Sequence, residues 1–271
     1  MATEIVALGH KRGIVILADK RTVSRRDSFL PVQHDTAIKI AQLEKNGVIA
    51  FAGIAQIVPD RKPEIDLFEE LAKLVPGKQY TADEDRKILI EQLNSQYQRA
   101  PFNLLASNVK RNPSIAISGR VLYPLYSLLF ITLAPDKQCF NIAQASIYFE
   151  DLKNQSFDCP YEILSTKYCQ SSKDNQFVSI MGARSSEAKT LEKYKPENHV
   201  DALRLAASEI KRTHHQRHNE GINDVGSTCD ALILSQNETF SISNSSLEDI
   251  ISGKVTLSKQ PLGKAGLHLP K

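Results

Sequence analysis

The sequence predicts an α+β protein, and three observations support that class. Runs of β-branched and aliphatic residues at 5–8 and 14–18 predict strands near the start of the chain. Apolar residues recur at helical spacing over residues 64–75 and 200–215. The resulting order of strands, helices, strands, helix and strands fits an α+β or a mixed α/β class. The 271 residues are enough for one large domain or two small ones.

The first predicted elements are two hairpins of one sheet. Residues 5–18 form the first hairpin, with a glycine at each end of its turn. Residues 38–52 form the second, and its turn contains Asn46-Gly47, a pair that strongly favours hairpins. Residues 20–35 between them are polar and charged, so we expect a loop that leads into a strand or a short strand pair.

Two core-facing helices are predicted next. The first spans residues 64–75 and is stopped by Pro76-Gly77. The second begins at residues 81–84, whose Thr-Ala-Asp-Glu pattern is typical of a capping box. Residues 101–124 are interrupted by prolines and a glycine, and we interpret them as an insertion.

The second half of the chain returns to strands. Its predicted elements are a hairpin, a strand, an amphipathic helix and two closing strands, at residues 125–143, 177–181, 200–215, 229–235 and 239–242. Residues 146–175 include a long polar stretch and are interpreted as a second insertion. We therefore expect one domain over residues 1–258 with two insertions, followed by a C-terminal tail at 259–271.

Composition excludes several classes of function. The net charge of +3 is too small to indicate a nucleic-acid groove or an acidic-membrane surface. Neither a leader nor an apolar run of membrane-spanning length is found, so we expect a cytoplasmic protein. The four cysteines lack a CxxC pair and are predicted to be reduced thiols. His214 and His218 lie one helical turn apart without a third ligand at a recognisable spacing, and no metal or cofactor is predicted.

The functional prediction depends on Thr3, Asp19, Lys39 and Gly53. In their joint spacing, residues 1–55 resemble the start of proteasome β-type subunits, which are N-terminal-nucleophile hydrolases. The resemblance is weak in the middle of the chain and returns around residues 178–235. It implies that the α+β chain forms a four-layer αββα sandwich, in which two sheets pack face to face with helices outside.

The resemblance assigns the chemistry of acyl transfer. Thr3 would be the nucleophile, and its own α-amine, with an ordinary pKa of about 7.7–8.0, would be the base. Lys39 would be the cation that favours the neutral amine, and Asp19 would keep that lysine charged and oriented. The backbone N–H of Gly53 would stabilise the oxyanion.

Further site residues are carried over only in part. The resemblance places three more polar residues at the site and five in a specificity pocket: Ser185, Asp224 and Ser227, and Thr22, Ala37, Ala41, Phe51 and Ala55. The turn before Ser185 departs from the family pattern, because Ala183 replaces a serine and Arg184 intrudes. The order of Asp224 and Ser227 around Gly226 also differs, which puts their role in doubt.

The sequence therefore predicts a threonine peptidase or amidohydrolase with a peptide or protein substrate. Its activity depends on self-processing of the Ala2–Thr3 bond, because the mechanism needs a free amine on Thr3. Two alternatives stay open: a noncatalytic assembly subunit of the same fold, and a connectase-like peptide ligase that uses the same threonine. The resemblance also implies that the protein could assemble into a homo-oligomeric ring. Whether the two predicted insertions alter or forbid such a ring stays open.

Overall fold

The computed structural model describes residues 4–24, 32–35, 37–43, 47–54, 56–57, 65–74, 80, 82–99, 102–109, 114–134, 139–151, 157–169 and 176–259. In chain order, strands β1–β9 are Glu4–His10, Gly13–Asp19, Thr22–Ser24, Val32–His34, Ile40–Leu43, Gly47–Gly53, Gln56–Ile57, Ile65–Asp66 and Ile115–Ile117. Strands β10–β17 are Arg120–Leu133, Cys139–Asp151, Phe157–Asp158, Tyr161–Cys169, Val178–Gly182, Thr228–Ser235, Thr239–Ser246 and Ser258–Lys259. Helices α1–α5 are Leu67–Leu74, Asp83–Tyr97, Phe102–Val109, His199–Asn219 and Leu247–Ser252, and Ala188–Lys193 is a 3₁₀-helix.

The first sheet contains six strands in the order β14-β1-β2-β15-β16-β17, and the strand pairs are antiparallel. Every residue of β1 and β2 is buried, which explains why the apolar runs at 5–8 and 14–18 are continuous rather than alternating. Gly13 is required where β2 meets β15, because a Cβ there would lie 1.9 Å from the carbonyl oxygen of Leu234. The predicted first hairpin is confirmed by the pairing of β1 with β2.

The second sheet contains seven strands. Its main path is β12-β11-β10-β6-β5, with β13 paired to β11 and β9 paired to β10. The longest pair is β10 with β11, which runs antiparallel from Leu122↔Glu150 to Leu133↔Phe140. The predicted second hairpin is confirmed by the pairing of β5 with β6, but the prediction that both hairpins belong to one sheet is wrong, because β1 and β2 lie in the first sheet and β5 and β6 in the second. The polar segment after β2 contains the short pair β3 and β4.

Apolar residues of the two sheets meet in a shared core. This core joins side chains of β1 and β2 to side chains of β5, β6, β10 and β11, among them Ile5, Ile16, Ile40, Ala50 and Leu129. A second cluster joins residues of α4 and α5 to residues of β1, β2, β15 and β16, and a third joins residues of α1, α2 and α3 to residues of β5, β6, β10 and β11. The alternation of side chains along β1 therefore sends Ile5 into the shared core and Val6 toward α4.

The predicted four-layer αββα sandwich is wrong for this chain, because the described structure is mostly β-sheet and its architecture is that of two antiparallel sheets. The difference comes from the middle of the sequence. Residues 101–124 contain α3, β9 and the start of β10, and residues 146–175 contain the end of β11 together with β12 and β13. The strands in these two predicted insertions extend the second sheet. The division into one domain with two insertions and a tail stays a prediction, and residues 260–271 lie outside the described ranges.

Smaller corrections concern helix ends and cysteines. Helix α1 begins only at Leu67, after the short strand β8, whereas α4 is longer than predicted. Ala82 is the N-cap of α2 and makes no side-chain cap bond, while Thr81 lies outside the described residues. Cys139 and Cys169 form a disulfide, so the prediction of reduced thiols is wrong for this pair. The two residues oppose each other in the β11–β13 register, which a sequence separation of 30 does not reveal.

Candidate functional site

Asp19 and Lys39 form a buried ion pair at the centre of the candidate site. Lys39 Nζ lies 3.0 Å from Asp19 Oδ1, and the side chains are 5% and 0% exposed. Asp19 is the last residue of β2, and Lys39 directly precedes β5. The carbonyl oxygen of Lys39 accepts a hydrogen bond from Phe51 N, so the edge of the second sheet holds the lysine backbone. The two sheets thus bring this predicted pair together.

The Asp19 carboxylate is also bound by three backbone N–H groups. Its Oδ1 accepts from Glu4 N at 2.8 Å in addition to the Lys39 ammonium. Its Oδ2 accepts from Arg21 N and from Gly226 N, each at 3.0 Å. A fully buried carboxylate is tolerated only with such partners, and charge-assisted bonds of this kind are strong. The carboxylate therefore joins the start of β1 to three other segments of the chain.

Lys39 is held between two acceptors. Its ammonium donates to Asp19 and, at 2.6 Å, to the carbonyl oxygen of Arg21. Burial lowers the pKa of Lys39, and the Asp19 carboxylate opposes that shift. Burial also raises the pKa of the Cys229 thiol, which faces Asp19 in the β15–β2 pairing. The Lys39–Asp19 ion pair thus lies in a place where water screens its charges poorly.

The Arg21 side chain links the segments that contain Asp35 and residues 223–225, next to the Asp19–Lys39 pair. Its guanidinium makes a two-point ion pair with Asp35, through Nε to Oδ1 at 2.7 Å and Nη2 to Oδ2 at 2.8 Å. Its Nη1 donates to Asn223 Oδ1 and to the carbonyl oxygen of Val225. The hydrogen bond from Arg21 holds the pKa of Asp35 below its usual range. No sequence signal distinguished Arg21 from an ordinary solvated loop charge.

A second buried polar group lies beneath the start of β1 and is here called the Glu209 cluster. Its members are Glu4, Ser185, Glu209, Arg212 and Thr213. Ser185 Oγ donates to Glu209 Oε1 at 2.6 Å, and Arg212 Nη2 lies 2.9 Å from Glu209 Oε2. Burial raises the pKa of Glu4 to about 9, and the negative charges of Glu209 and Asp19 add to that shift, while Thr213 and Arg212 oppose it. Glu4 is therefore a neutral carboxylic acid at pH 7.

The sequence did contain a signal for Glu209. It falls in the buried stripe of α4 that also contains Ala202, Ala206, Ile210 and Thr213. A charged residue in such a stripe needs a partner inside the protein, because an unpaired buried charge is costly. The apolar periodicity predicts the helix, and the acidic residue within its buried stripe is the signal for a buried polar contact.

Gly53 and Ser185 lie on two different segments near the Asp19–Lys39 pair. Gly53 ends β6 with φ +134°, and a Cβ there would lie 2.6 Å from the carbonyl oxygen of Leu125, so no other residue fits. It lies two residues beyond Phe51, whose N–H binds Lys39. Ser185 follows β14, whose Gly182 pairs with Glu4. Both therefore lie on segments that contact the Asp19–Lys39 region.

Asp224 and Ser227 make other contacts. Asp224 forms a two-point ion pair with Arg217 of α4, at 2.6 and 3.1 Å. The carbonyl oxygen of Ser227 accepts from Leu247 N at 3.0 Å. Gly226, which lies between them, is the residue whose N–H donates to Asp19, and no sequence signal marked it as a partner of that carboxylate. Catalytic roles for Asp224 and Ser227 stay predictions.

The predicted specificity pocket stays a prediction as well. Ala41 and Phe51 are buried in the core that faces α2, where Phe51 stacks on Tyr126. Ala37 N donates to the carbonyl oxygen of Lys20. Thr3, Ala55 and the side chain of Thr22 lie outside the described parts of the structure.

The described residues contain neither a candidate metal site nor a candidate membrane-spanning helix. No group of three or more His, Cys, Asp or Glu residues there could hold a metal ion. His214 Nδ1 instead lies 2.7 Å from the carbonyl oxygen of Val225. None of the helices in the same ranges combines the length and hydrophobicity needed to cross a bilayer.

Comparison with known proteins gives a limited result. No family model matches the chain, and no curated protein matches it. Two similar solved structures are a Gly-1 mutant of Anbu from Hyphomicrobium sp. strain MC1 and Anbu, an ancestral beta-subunit, from Yersinia bercovieri. The first is 11% identical with a TM-score of 0.47 and covers 93% of each chain. The second is 12% identical with a TM-score of 0.48 and covers 93% of this chain and 92% of the other.

These comparisons overturn the predicted membership of the proteasome β-type subunit family. The similar structures are Anbu proteins, and neither a family model nor a curated sequence joins the chain to proteasome subunits. At 11–12% sequence identity and TM-scores below 0.5, no residue role is transferred from these structures. The function must therefore be argued from the residues of this chain.

Proposed function

We propose that this protein hydrolyses amide bonds of peptides, with Thr3 as an amino-terminal nucleophile. One observation carries the proposal. Asp19 Oδ1 accepts hydrogen bonds from both Lys39 Nζ and Glu4 N, each within 3.0 Å. Glu4 N is the atom to which Thr3 is covalently bonded. The Lys39 ammonium and the backbone N–H that follows Thr3 therefore share a single carboxylate oxygen.

The electrostatics of this arrangement suit an amine base. A free α-amine on Thr3 must be neutral to accept the proton of the threonine hydroxyl. The positive charge of Lys39, buried and oriented by Asp19, favours the neutral amine and stabilises the alkoxide that develops as the proton leaves. The same charge in an exposed position would be screened and would have a much weaker effect.

The reaction follows in two balanced steps. In the first step the amine takes the hydroxyl proton, the oxygen bonds to the substrate carbonyl carbon, and the C–N bond breaks as the leaving amine receives that proton. The products are a free amine and an ester on Thr3. In the second step water attacks the ester, and the acid is released as the hydroxyl regains a proton. The N–H of Gly53 is the proposed donor to the oxyanion of both steps, a role worth about 2.7–4 kcal/mol in other enzymes.

The proposal requires the peptide bond before Thr3 to be broken. Ala2 would otherwise keep the nitrogen of Thr3 in an amide, which has no basic lone pair. Self-processing by the threonine hydroxyl would release the preceding residues and expose the amine. An intact Ala2–Thr3 bond would favour the noncatalytic assembly role instead.

Intact mass and covalent labelling test the proposal directly. We expect the purified protein to have a mass that begins at Thr3 and to take up one equivalent of a β-lactone or epoxyketone probe. Thr3→Ala should abolish the label, whereas Thr256→Ala, at an exposed threonine, should retain it in full. A protein that keeps Ala2 on every molecule, or that takes no label, would overturn the proposal.

A labelled intermediate also separates hydrolysis from ligation. Protein acylated by an ester substrate can be challenged with a competing amine in water. Release of the acid alone supports the hydrolase, whereas transfer of the acyl group to the amine supports the peptide ligase alternative.

A further inference from the structure

The Glu209 cluster is the buried polar group that the proposed reaction leaves unused. Glu209 is fully buried on α4, beside a cluster of apolar side chains from α4, β1 and β2. Keeping a carboxylate in such a place is expensive unless its partners are well aligned. Its one ion-pair partner among the described residues, Arg212, is 37% exposed and also binds Glu187 at 3.1 Å. Packing alone would be served better by an apolar residue.

The hydrogen-bond directions around Ser185 indicate what the carboxylate does. Ser185 Oγ donates its proton to Glu209 Oε1 at 2.6 Å, and it accepts from Glu187 N at 3.2 Å. Because the proton is committed to Glu209, the remaining lone pair of Ser185 is available only as an acceptor. A short bond to a carboxylate also strengthens that acceptor by polarisation.

The position of Ser185 relates this acceptor to the amino terminus. Glu4 and Gly182 are register partners in the β1–β14 pair, and Ser185 follows Gly182 by three residues. Glu4 in turn contributes its side chain to the Glu209 cluster and its N–H to Asp19. The cluster therefore lies against the strand end from which Thr3 extends.

We propose that Glu209 is a positioning residue for the amino terminus, and that it acts through the Ser185 hydroxyl. This inference rests on the proposed function of Thr3. When the amine of Thr3 takes the hydroxyl proton it becomes an ammonium, and Ser185 accepts a hydrogen bond from it. Glu209 fixes the direction of that acceptor and adds negative charge nearby, so the amine becomes a stronger base. Asp224, predicted from sequence at the site, is instead paired with Arg217.

The charged groups around Glu209 set the expected pH behaviour. Glu4 faces it from β1 and Arg212 from its own helix, while Asp19 lies beyond Glu4 at the end of β2. At pH 6–8 Glu4 stays largely neutral and adds little negative charge of its own. Replacing the Glu209 carboxylate by an amide should therefore lower the pKa of the Thr3 amine.

The test is the rate of β-lactone labelling of Thr3 as a function of pH. Glu209→Gln should move the midpoint of the pH profile downward by about one unit and lower the plateau rate about tenfold, since a weaker base transfers the proton less well. The matched control is Glu187→Gln, which removes the exposed carboxylate partner of Arg212 and should leave the profile unchanged. A purely structural role would lower the thermal midpoint without moving the pH midpoint.

A double-substitution cycle tests the path through Ser185. Ser185→Ala should shift the pH midpoint as Glu209→Gln does, and the combined variant should show little further change. Ser185→Ala also serves as the reporter if Glu209→Gln fails to fold. An unshifted midpoint in the single variants, or fully additive shifts, would overturn the positioning role while Thr3 remained the nucleophile. Absence of labelling in the unsubstituted protein would overturn both proposals.

Discussion

Two polar groups are buried at the start of β1, and they satisfy their charges in opposite ways. In the first group, which lies next to Arg21, the Asp19 carboxylate accepts hydrogen bonds from the Lys39 ammonium and from three backbone N–H groups. On the side of α4, two carboxyl groups, Glu4 and Glu209, share one partly exposed guanidinium and two hydroxyl groups. The first group has ample donors, and the second has too few.

The difference divides the expected roles. A carboxylate with a full set of donors stays charged and holds its neighbours in place, which is what a fixed lysine requires. A crowded pair of carboxyl groups responds by keeping one of them protonated, which makes the fold sensitive to pH. The Asp19 region should therefore dominate stability, and the Glu209 cluster should dominate the pH dependence of stability.

The largest expected effect is from Asp19→Ala. The substitution leaves the Lys39 ammonium buried without a counter-charge and strands three N–H donors, so we expect a loss of about 3–5 kcal/mol in the free energy of unfolding. Urea unfolding followed by circular dichroism measures it. Glu192→Gln at an exposed position is the control and should change stability by less than about 0.5 kcal/mol. A small loss in Asp19→Ala would remove the contrast between the two groups.

The next effect is from Glu4→Gln, and its sign depends on pH. Below pH 4.5 the carboxyl is protonated in both the folded and the unfolded chain, so it makes no contribution. Between 4.5 and about 9 only the folded protein keeps the proton, and stability falls by about 1.4 kcal/mol per pH unit as pH rises. Above about 9 no further loss occurs. The variant lacks this penalty, and relative to the original protein it should gain about 3 kcal/mol between pH 4.5 and pH 7.

Unfolding free energies at several pH values between 4 and 9 check this prediction. The curves of the original protein and Glu4→Gln should diverge as pH rises, whereas Glu192→Gln should stay parallel to the original. Parallel curves for Glu4→Gln would show that Glu4 titrates normally in the folded state.

The smallest expected effect compares two arginines. Arg21→Lys breaks a two-point ion pair at a side chain that is 12% exposed, and we expect a loss of about 1–2 kcal/mol. Arg212→Lys keeps one cation beside Glu209 at a more exposed position, so the expected loss is below about 1 kcal/mol. Thermal unfolding of the two variants under identical conditions ranks them. The reverse ranking would place the tighter ion pairing in the Glu209 cluster.

Local patterns predicted the local parts of this fold. The Asn46-Gly47 turn and the apolar runs of β1 and β2 identified two hairpins, because hairpin pairing is determined by neighbouring residues. The stripe of α4 identified its helix for the same reason. The resemblance predicted that Asp19 and Lys39 lie together. The structure contains this ion pair, although the predicted family membership is wrong.

Nonlocal features escaped prediction. The hairpin predicted over residues 125–143 is confirmed by the pairing of β10 with β11. The mixed segments that contain β9, the start of β10 and β13 are stabilised by strands elsewhere in the second sheet, and their own periodicity is weak. Arg21 gains its importance from Asp35 and Asn223, the latter 202 residues away. The αββα prediction was wrong for a related reason. The middle of the chain contains more strands than predicted, and these strands depend on long-range pairings that the local sequence pattern does not encode.

The bond from Gly226 N to Asp19 spans 207 residues, and that distance has a bearing on when the site comes into being. Long-range contacts form late, since a large loop must close before they stabilise the chain. During synthesis, Asp19 leaves the ribosome long before its last donor exists. The carboxylate reaches its final set of partners only when the beginning of the chain meets its last third. A chain interrupted before Gly226 would therefore carry every residue of the Asp19–Lys39 pair without the arrangement that makes them a site.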